Sequence, residues 1–434
     1  MMENRYDKYK DSGIAWIGEI PEHWKVAKIK SFYNVILGKM VERNNDSNTG
    51  DENYLCAANI KWNGVDTEIN KKMYFSDIEK EKYLLQYNDV LIMEGGMAGT
   101  ACLYKNEFSP CYVQNSVNVC RAKKDFNNKF LYYWMYVPYY NGYIDAICNK
   151  ATIRHYTKEK VQNTPILISS LVEQQTIAAY LDQKCGEIDE LITLQEEMIT
   201  KLQSYKQSVI TEAVTKGLDK NVPLKDSGIE WIGEIPEHWS KNKIIRLFSI
   251  IGSGTTPKSS KEDNYNGSIN WIQSGDINGG DIEICKNTIS YTAFKEYPAL
   301  KIYQAPFIIV AMYGASVGNI SISQIDGCVN QACCVMNETK QNFKYLFYAM
   351  NSVKKYLIYR AEGGGQPNIS QDKIKNTWLP IPPLSEQQSI ADYLDQRCSE
   401  IDELISIKQQ KIEKLKEYKK SLIFECVTGK RKVS

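Results

Sequence analysis

A 14-residue segment occurs twice in this chain of 434 residues, and its two copies differ at a single position. Residues 11–24 read Asp-Ser-Gly-Ile-Ala-Trp-Ile-Gly-Glu-Ile-Pro-Glu-His-Trp, and residues 226–239 repeat them with one substitution. A second segment, 173–192, returns as 386–405 with 16 of 20 residues identical. The sequence between the repeated segments does not return. The chain must therefore fold into two similar frames that carry two dissimilar inserts.

The repeats divide the chain into six predicted parts. These are an N-terminal segment (1–24), a first insert (25–164), a first helical frame (165–215), a linker with the second copy of the 14-residue segment (216–239), a second insert (240–377), and a second helical frame with the tail (378–434). Both inserts contain short β-rich runs separated by turn residues, followed by an aromatic helical stretch. Each insert is therefore predicted to be an α+β domain of mixed helix and sheet.

Both frames show the heptad spacing of a long helix that packs against another helix. The predicted helix-pairing residues are Leu181, Ile188, Ile192, Ile199 and Leu202 in the first frame and Leu394, Ile401, Ile405, Ile412 and Leu415 in the second. Lys206 and Lys419 interrupt the two patterns at matching places. An ordinary buried helix face would give a similar pattern. Because the stripe occurs once in each repeat, we expect the two helices to pair with each other in antiparallel, pseudo-two-fold fashion.

An antiparallel pair of helices would close the chain into a cycle. The linker places one copy of the 14-residue segment directly after the first helix. By the repeat symmetry, residues 11–24 are expected to dock near the C-terminal tail, at the other end of the sequence. Their tryptophans, Trp16 and Trp24, are interpreted as hydrophobic anchors, as are Trp231 and Trp239 in the second copy.

Composition restricts the function only loosely. The formal net charge is +1, and the 12 cysteines are scattered without a metal-binding spacing, which indicates reduced thiols. There is no apolar run of membrane-spanning length and no signal-peptide pattern at the start, so a cytoplasmic protein without membrane association is expected. Each insert has a small excess of Lys and Arg over Asp and Glu, which permits binding to nucleic acid without requiring it.

Several motifs resemble the DNA specificity (S) subunit of type I restriction-modification systems, and the resemblance covers essentially the whole chain. Both copies of the 14-residue segment are typical of that family, and so is Pro380-Ile-Pro-Pro-Leu-Ser-Glu-Gln-Gln388 at the start of the second frame. The second insert resembles the family's target-recognition domains through Gly254-Thr-Thr-Pro-Lys258, Trp271-Ile-Gln-Ser-Gly-Asp276 and Gly363-Gly-Gly-Gln-Pro-Asn368. The first insert resembles a different subgroup of the same domain, with Glu94-Gly-Gly96 and Gln114-Asn115.

Polar and glycine-rich loops of the inserts supply the candidate DNA-binding residues, because short polar side chains and Lys or Arg contact base edges and phosphates. In the first insert the candidates are Lys39, Arg43, Asn44, Lys61, Asn63, Arg154 and His155. In the second insert they are Thr255, Thr256, Lys258, Lys261, Gln273, Ser274, Tyr313, Ser316, Asn330, Gln331, Gln366 and Asn368. For any one of these residues, a solvated turn or a local hydrogen bond is the simpler interpretation.

The resemblance implies a non-catalytic protein in which each insert reads one half of an asymmetric, bipartite sequence in double-stranded DNA. It also implies two methyltransferase (M) subunits and restriction-translocase (R) subunits as partners. No cofactor is expected in this chain, because S-adenosylmethionine, ATP and Mg²⁺ would belong to those partners. The two frames would then act as a spacer between the inserts and as a docking platform for the M subunits.

Two other functions are compatible with parts of the sequence. A fused methyltransferase-endonuclease would need an Asn/Asp-Pro-Pro-aromatic loop to hold a flipped adenine, but Pro382-Pro383 follows Ile381. A translocating motor would need a Walker A motif, which the sequence lacks. A coiled-coil adaptor that binds only protein would suit the helices, but it would leave the two unlike polar inserts unexplained.

Overall fold

The computed structural model describes residues 5–40, 52–148, 154–359 and 368–433. The chain divides into two compact units. Unit 1 comprises Met1–Gln195 with Gln410–Ser434, and unit 2 comprises Glu196–Gln409. Two long helices, α6 and α11, each contribute one part to unit 1 and one part to unit 2, and each unit carries one of the inserts.

Unit 1 begins with the N-terminal segment and continues through the first insert. Its strands are β1 (Tyr9–Asp11), β2 (Glu19–Pro21), β3 (Lys25–Lys28), β4 (Tyr33–Leu37), β5 (Glu52–Leu55), β6 (Ile60–Lys61), β7 (Gly64–Val65), β8 (Lys71–Met73), β9 (Val90–Met93), β10 (Ala101–Leu103), β11 (Tyr112–Val113), β12 (Val117–Ala122) and β13 (Pro165–Ile168). Its helices are α1 (Ile29–Phe32), α2 (Asp77–Tyr83), α3 (Asn128–Tyr140), α4 (Tyr143–Ile147) and α5 (Lys158–Asn163), and α6 (Leu171–Lys216) then leads into unit 2.

Unit 2 repeats this order with the second insert. Its strands are β14 (Leu224–Asp226), β15 (Glu234–Pro236), β16 (Ser240–Lys243), β17 (Ile250–Gly252), β18 (Tyr265–Ile272), β19 (Asp281–Ile282), β20 (Thr288–Ile289), β21 (Phe307–Ala311), β22 (Ile320–Ser323), β23 (Cys328–Val329), β24 (Cys333–Asn337) and β25 (Trp378–Ile381). Its helices are α7 (Tyr291–Glu296), α8 (Phe343–Ser352), α9 (Lys354–Tyr359) and α10 (Gln371–Lys375), and α11 (Leu384–Val427) then returns to unit 1.

The two inserts share one topology although their sequences differ. The first contains a four-stranded sheet of order β10-β9-β12-β4, and the second contains the same order as β22-β21-β24-β17, extended by β19. Each insert also has a three-stranded sheet, β11-β5-β8 in the first and β23-β18-β20 in the second. In both of these sheets a short strand pairs in parallel with the central strand, β11 with β5 and β23 with β18. The dissimilar sequences therefore build the same α+β domain twice.

The first strand of each insert pairs with a strand that directly follows the insert. Strand β3 pairs antiparallel with β13, and β16 pairs antiparallel with β25. This pairing holds the two ends of each insert together, next to the start of a long helix. The first frame thus opens on strand β13, and its helix begins at Leu171. An insert whose ends meet in this way is attached to the frame as a closed module.

Each unit contains a pair of antiparallel helix segments, as the heptad pattern predicts. In unit 1, Asp189 of α6 contacts Lys419 of α11, and Tyr180, nearer the start of α6, lies against Arg431 beyond the end of α11. In unit 2, Lys206 contacts Asp402, while Tyr345 reaches the carbonyls of both Val214 and Pro380. All of the predicted pairing residues are at least partly buried. The fully buried ones are Leu181, Ile188, Leu394, Ile401 and Ile412, and the half-buried ones are Ile192, Ile199, Leu202, Ile405 and Leu415.

The N-terminal segment contacts the C-terminal tail within unit 1. The Tyr9 hydroxyl donates to the Gly429 carbonyl (3.0 Å), and Lys430 Nζ donates to the Glu19 carbonyl (3.2 Å). Trp24 is fully buried in a core that includes Val427. Gly429 follows the helix with a φ of +71°, a backbone conformation that suits glycine at a helix C-terminus.

One carboxylate at the start of each long helix holds the neighbouring tryptophan. Glu173 accepts hydrogen bonds from His23 (3.0 Å) and from the Trp24 indole (3.3 Å). It also forms a capping box with Ser170, which satisfies free amides in the first turn of α6. In unit 2, Glu386 contacts His238 (2.7 Å) and the Trp239 indole (2.9 Å) in the same way. In each unit, the buried tryptophan that was predicted to be a hydrophobic anchor therefore also has a hydrogen-bond partner.

Burial of the remaining groups agrees with the composition. The 12 cysteines are free thiols, and all but Cys285 are buried. Among the described residues, no helix is long and apolar enough to cross a membrane.

Candidate nucleic-acid interface

Corresponding loops converge in the two inserts because the strands that carry them are neighbours in the sheet. In the first insert, Lys39 after β4 pairs with Gln114 after β11, and Gly95 after β9 pairs with His155. In the second insert, Tyr313 after β21 pairs with Asn368. These bridges therefore bring together some of the sequence motifs that suggested DNA contact.

Four predicted residues of the second insert, Thr256, Tyr313, Gln331 and Asn368, form a connected group that we call the Gln331 cluster. The Thr256 hydroxyl donates to the Gln331 amide oxygen (2.5 Å), and the Tyr313 hydroxyl hydrogen-bonds to the same Gln331 side chain. The backbone of Tyr313 pairs with that of Asn368. Burial raises the pKa of Tyr313, and the hydrogen bond to Gln331 partly offsets this, so the phenol stays protonated at neutral pH. The cluster presents hydroxyl and amide groups, which suit hydrogen bonds to base edges.

Other candidates in this insert stabilise the loops themselves. Asn330 accepts hydrogen bonds from the Ala332 amide and the Cys333 thiol (both 3.1 Å), so it forms the turn between β23 and β24. The backbone amide of Gln273 donates to the Asp276 carboxylate (2.8 Å), and this bond closes a single helical turn that includes Ser274. The carbonyl of Ser316 accepts from Asn319 in the turn before β22.

The basic candidates of the second insert differ in their partners. Lys261 Nζ lies 2.6 Å from the Glu296 carboxylate, so its charge is already paired. Lys258 is exposed, and its ammonium has no ion-pair partner among the described residues, while its backbone amide donates to the Tyr297 hydroxyl. The carbonyl of Thr255 accepts from the Trp271 indole (3.3 Å), which fixes the same loop. Lys258 is therefore the residue of this loop best suited to a phosphate.

In the first insert, ion pairs occupy two of the basic candidates. Lys39 Nζ lies 2.6 Å from Glu79 and 2.9 Å from the Tyr74 carbonyl, and its side chain is only 16% exposed. Arg154 pairs with Asp145 (2.6 Å) at an exposed position. Each contact joins one of these residues to a short helix, α2 for Lys39 and α4 for Arg154, so residue type alone did not indicate them.

The remaining candidates of the first insert are exposed or lie outside the described residues. Lys61 and Asn63 are exposed on the β6–β7 hairpin, and His155 is exposed beside Gly95. Arg43 and Asn44, together with Gln366 of the second insert, are outside the part of the chain that the structure describes.

Sequence reasoning missed two side chains in these loops of the first insert. Ser116 donates to the Gln114 amide oxygen (2.7 Å) and accepts from the Ala57 amide (2.9 Å), so it orders two loops at once. Glu94 has a buried carboxylate oxygen without a hydrogen-bond partner in the described structure. Glu94 was visible in the Glu-Gly-Gly motif, but its environment depends on strands that are far apart in sequence.

Each unit also has a groove between an Asn-Gly turn of its insert and the paired helix segments. The groove of unit 1 has a volume of about 540 Å³, and that of unit 2 about 650 Å³. The repeat relates their lining residues: Asp182, Gly186, Asp189 and Lys419 in unit 1 correspond to Asp395, Ser399, Asp402 and Lys206 in unit 2. In both grooves a tyrosine hydroxyl donates to the first of these aspartates at 2.8 Å.

Comparisons with known proteins agree with this doubled organisation. The family model for the type I restriction modification DNA specificity domain matches residues 21–203 and again residues 236–417. A putative type I restriction enzyme MjaX specificity subunit of Methanocaldococcus jannaschii is 26% identical, with 96% of each chain covered. The type I restriction enzyme EcoBI specificity subunit of Escherichia coli is 25% identical over 77% of this chain and 72% of its own.

A solved structure shows the same fold. One chain from a study of complex assembly and conformational transition of the type I R-M system superposes with a TM-score of 0.70, at 16% identity, over 94% of this chain and 98% of that chain. The two family matches together span most of the sequence and contain both inserts and most of each long helix. The chain therefore belongs to the family of type I restriction-modification DNA specificity proteins, and it carries two copies of the specificity domain.

Proposed function

We propose that this chain is the non-catalytic DNA sequence-recognition subunit of a type I restriction-modification complex. One observation carries the proposal: the two family domains share a topology, yet their corresponding loops present different side chains. At the corresponding position of the two domains, the backbone of Gly95 pairs with that of His155 in the first insert. In the second insert, the backbone of Tyr313 pairs with that of Asn368. A common scaffold with different contact groups suits two different base sequences, one for each insert.

The target is then an asymmetric, bipartite sequence in double-stranded DNA. Each insert reads one half, and the long helices α6 and α11, which contribute to both units, act as the spacer. The expected separation of the half-sites is on the order of one turn of the double helix, about 34 Å. The Gln331 cluster is the best candidate for base contacts in the second half-site, and Lys258 is the best candidate for a phosphate contact there.

The partners follow from the same doubled organisation. Two methyltransferase subunits would dock on the two grooves, since the repeat gives both grooves corresponding aspartates and lysines. Restriction-translocase subunits would join that complex, with S-adenosylmethionine, ATP and Mg²⁺ held by the partner subunits. A coiled-coil adaptor without DNA binding is less well supported, because it gives no reason for the exposed polar loop residues of both inserts.

DNA selection tests the proposal directly. The chain, assembled with its methyltransferase subunits, is incubated with a pool of random duplexes, and the retained duplexes are sequenced. A bipartite consensus with a fixed gap is the expected result. Retention without any sequence preference would reject DNA recognition as the function.

A further inference from the structure

Glu94 and Met312 occupy the same backbone position in the two inserts. The Glu94 amide donates to the Ser116 carbonyl (2.9 Å), and the Met312 amide donates to the Ala332 carbonyl (2.7 Å). The Glu94 carbonyl accepts from Tyr156 and the Met312 carbonyl accepts from Ile369, both at 2.7 Å. Both residues follow the central strand of the larger sheet, so the same scaffold holds them in place.

Their side chains have opposite chemistry. Met312 is buried in the core of unit 2, as an apolar residue should be. Glu94 is partly buried, and its Oε2 has no hydrogen-bond partner among the described residues. Burial raises the pKa of Glu94, and the nearby His155 only partly offsets this. An unpaired carboxylate oxygen destabilises the free protein, so this position has a stability cost that the second insert does not have.

The surroundings of Glu94 leave room for a ligand at the loop cluster. Gly96 has a φ of +69°, and a Cβ at this position would meet no atom of the described residues within 4 Å. A Cβ at Gly95 would lie 3.8 Å from the His155 ring. The chain next to Glu94 therefore has no side chain that would prevent another molecule from approaching closely. His155, a predicted DNA contact, borders the same space.

We propose that Glu94 accepts a hydrogen bond from the exocyclic amino group of a base in the half-site read by the first insert, and so determines the base pair at one position. This inference rests on the proposed DNA-recognition function. Carboxylates accept hydrogen bonds in the major groove from the amino groups of cytosine (N4) and adenine (N6). Because Oε2 is buried in the free protein, the carboxylate would turn toward the open space beside Gly96 to meet the base.

The test compares the wild-type chain with Glu94→Met, which installs the residue of the second insert, in complexes with methyltransferase subunits. Affinity is measured for the selected duplex and for duplexes in which one amino group of a first-half cytosine or adenine is replaced by hydrogen. For one such duplex the wild-type protein should lose about 5- to 150-fold in affinity. Glu94→Met should bind that duplex and the unmodified selected duplex with equal affinity. The base whose amino-group deletion weakens wild-type binding shows whether Glu94 contacts cytosine or adenine.

Two further measurements separate the possible failures. Glu94→Met and the nearly isosteric Glu94→Gln should both melt at a higher temperature than the wild type at pH 7, which shows that they fold. The wild type and Glu94→Met could instead lose the same affinity on every amino-group deletion. If the wild type is nevertheless sequence-selective, that result would overturn the role of Glu94. A wild-type protein without sequence selectivity would instead reject the proposed function.

Discussion

Lys419 Nζ lies 2.7 Å from both carboxylate oxygens of Asp189, although 230 residues separate them in the chain. Lys206 makes the same contact with Asp402, at 2.7 and 2.6 Å. The internal repeat relates Asp189 to Asp402 and Lys206 to Lys419, so each unit contains one copy of the same bridge. The lysines that interrupt the heptad pattern therefore form ion pairs between the two helices. These ion pairs favour the antiparallel arrangement of the helix segments in each unit.

Gly429→Ala should loosen the N-terminal segment from the tail. Alanine is disfavoured at a φ of +71°, and its Cβ would lie 2.4 Å from Pro21 Cδ. We expect a loss of about 1–3 kcal/mol in the local stability of unit 1, measured as faster amide hydrogen exchange in β1, β2 and the end of α11. Gly186→Ala is the matched control, because a Cβ there meets no atom within 4 Å. Alanine within α6 should stabilise it by about 0.5–1 kcal/mol. Equal effects of the two substitutions would contradict the docking.

Glu173→Gln should weaken unit 1 in a pH-dependent way. Burial alone would raise the pKa of Glu173, but hydrogen bonds from His23, Trp24 and Ser170 outweigh it and hold the pKa below 4.5. An acid with a lowered pKa in the folded state stabilises the fold above its unfolded pKa, and this stability disappears as the pH falls through the folded value. Glu173→Gln should therefore lower stability by about 1–2 kcal/mol at pH 7, and by progressively less below pH 4.5. A pH-independent difference in unit 1 amide exchange would exclude this mechanism.

Much of the fold could be predicted from the sequence because the relevant patterns are local or repeated. Heptad spacing placed Leu181 and Leu394 on buried helix faces, and the repeat led to the prediction that residues 11–24 lie near the tail. The common topology of the inserts was harder to predict in detail, since it depends on pairing between distant strands. Through-space partners such as Glu79 for Lys39 have no local signal in the sequence, and neither does the lack of a hydrogen-bond partner for Glu94 Oε2 among the described residues.

Lys258→Ala should weaken DNA binding for all sequences alike. Its exposed ammonium is suited to a phosphate, which carries no base information. The slope of log affinity against log salt concentration should fall in magnitude by about 1, while the selected consensus stays the same. Lys261→Ala provides the comparison, because Lys261 is paired with Glu296 and should change the slope less. A change of consensus on replacing Lys258 would indicate base contact instead.

Filling one groove should remove one methyltransferase subunit. Gly186→Arg places a long side chain in the groove of unit 1, and Ser399→Arg does so at the corresponding position in unit 2. Native mass spectrometry of the assembled complex should show one bound subunit for either single variant and none for the double variant. Each single variant serves as the control for the other, because it leaves the second groove intact. Two subunits on the double variant would place docking elsewhere.

Exchange of one insert tests the central claim most directly, because the paired strands β16 and β25 hold the two ends of the second insert together. Residues 240–377 are replaced by the corresponding domain of another specificity subunit, and the chimera is expressed with its methyltransferase subunits. Genomic methylation is then mapped by single-molecule sequencing. The account predicts a bipartite methylated sequence in which one half changes, while the other half and the spacing stay as in the wild type. A change in both halves, or a continuous site in the wild type, would contradict it.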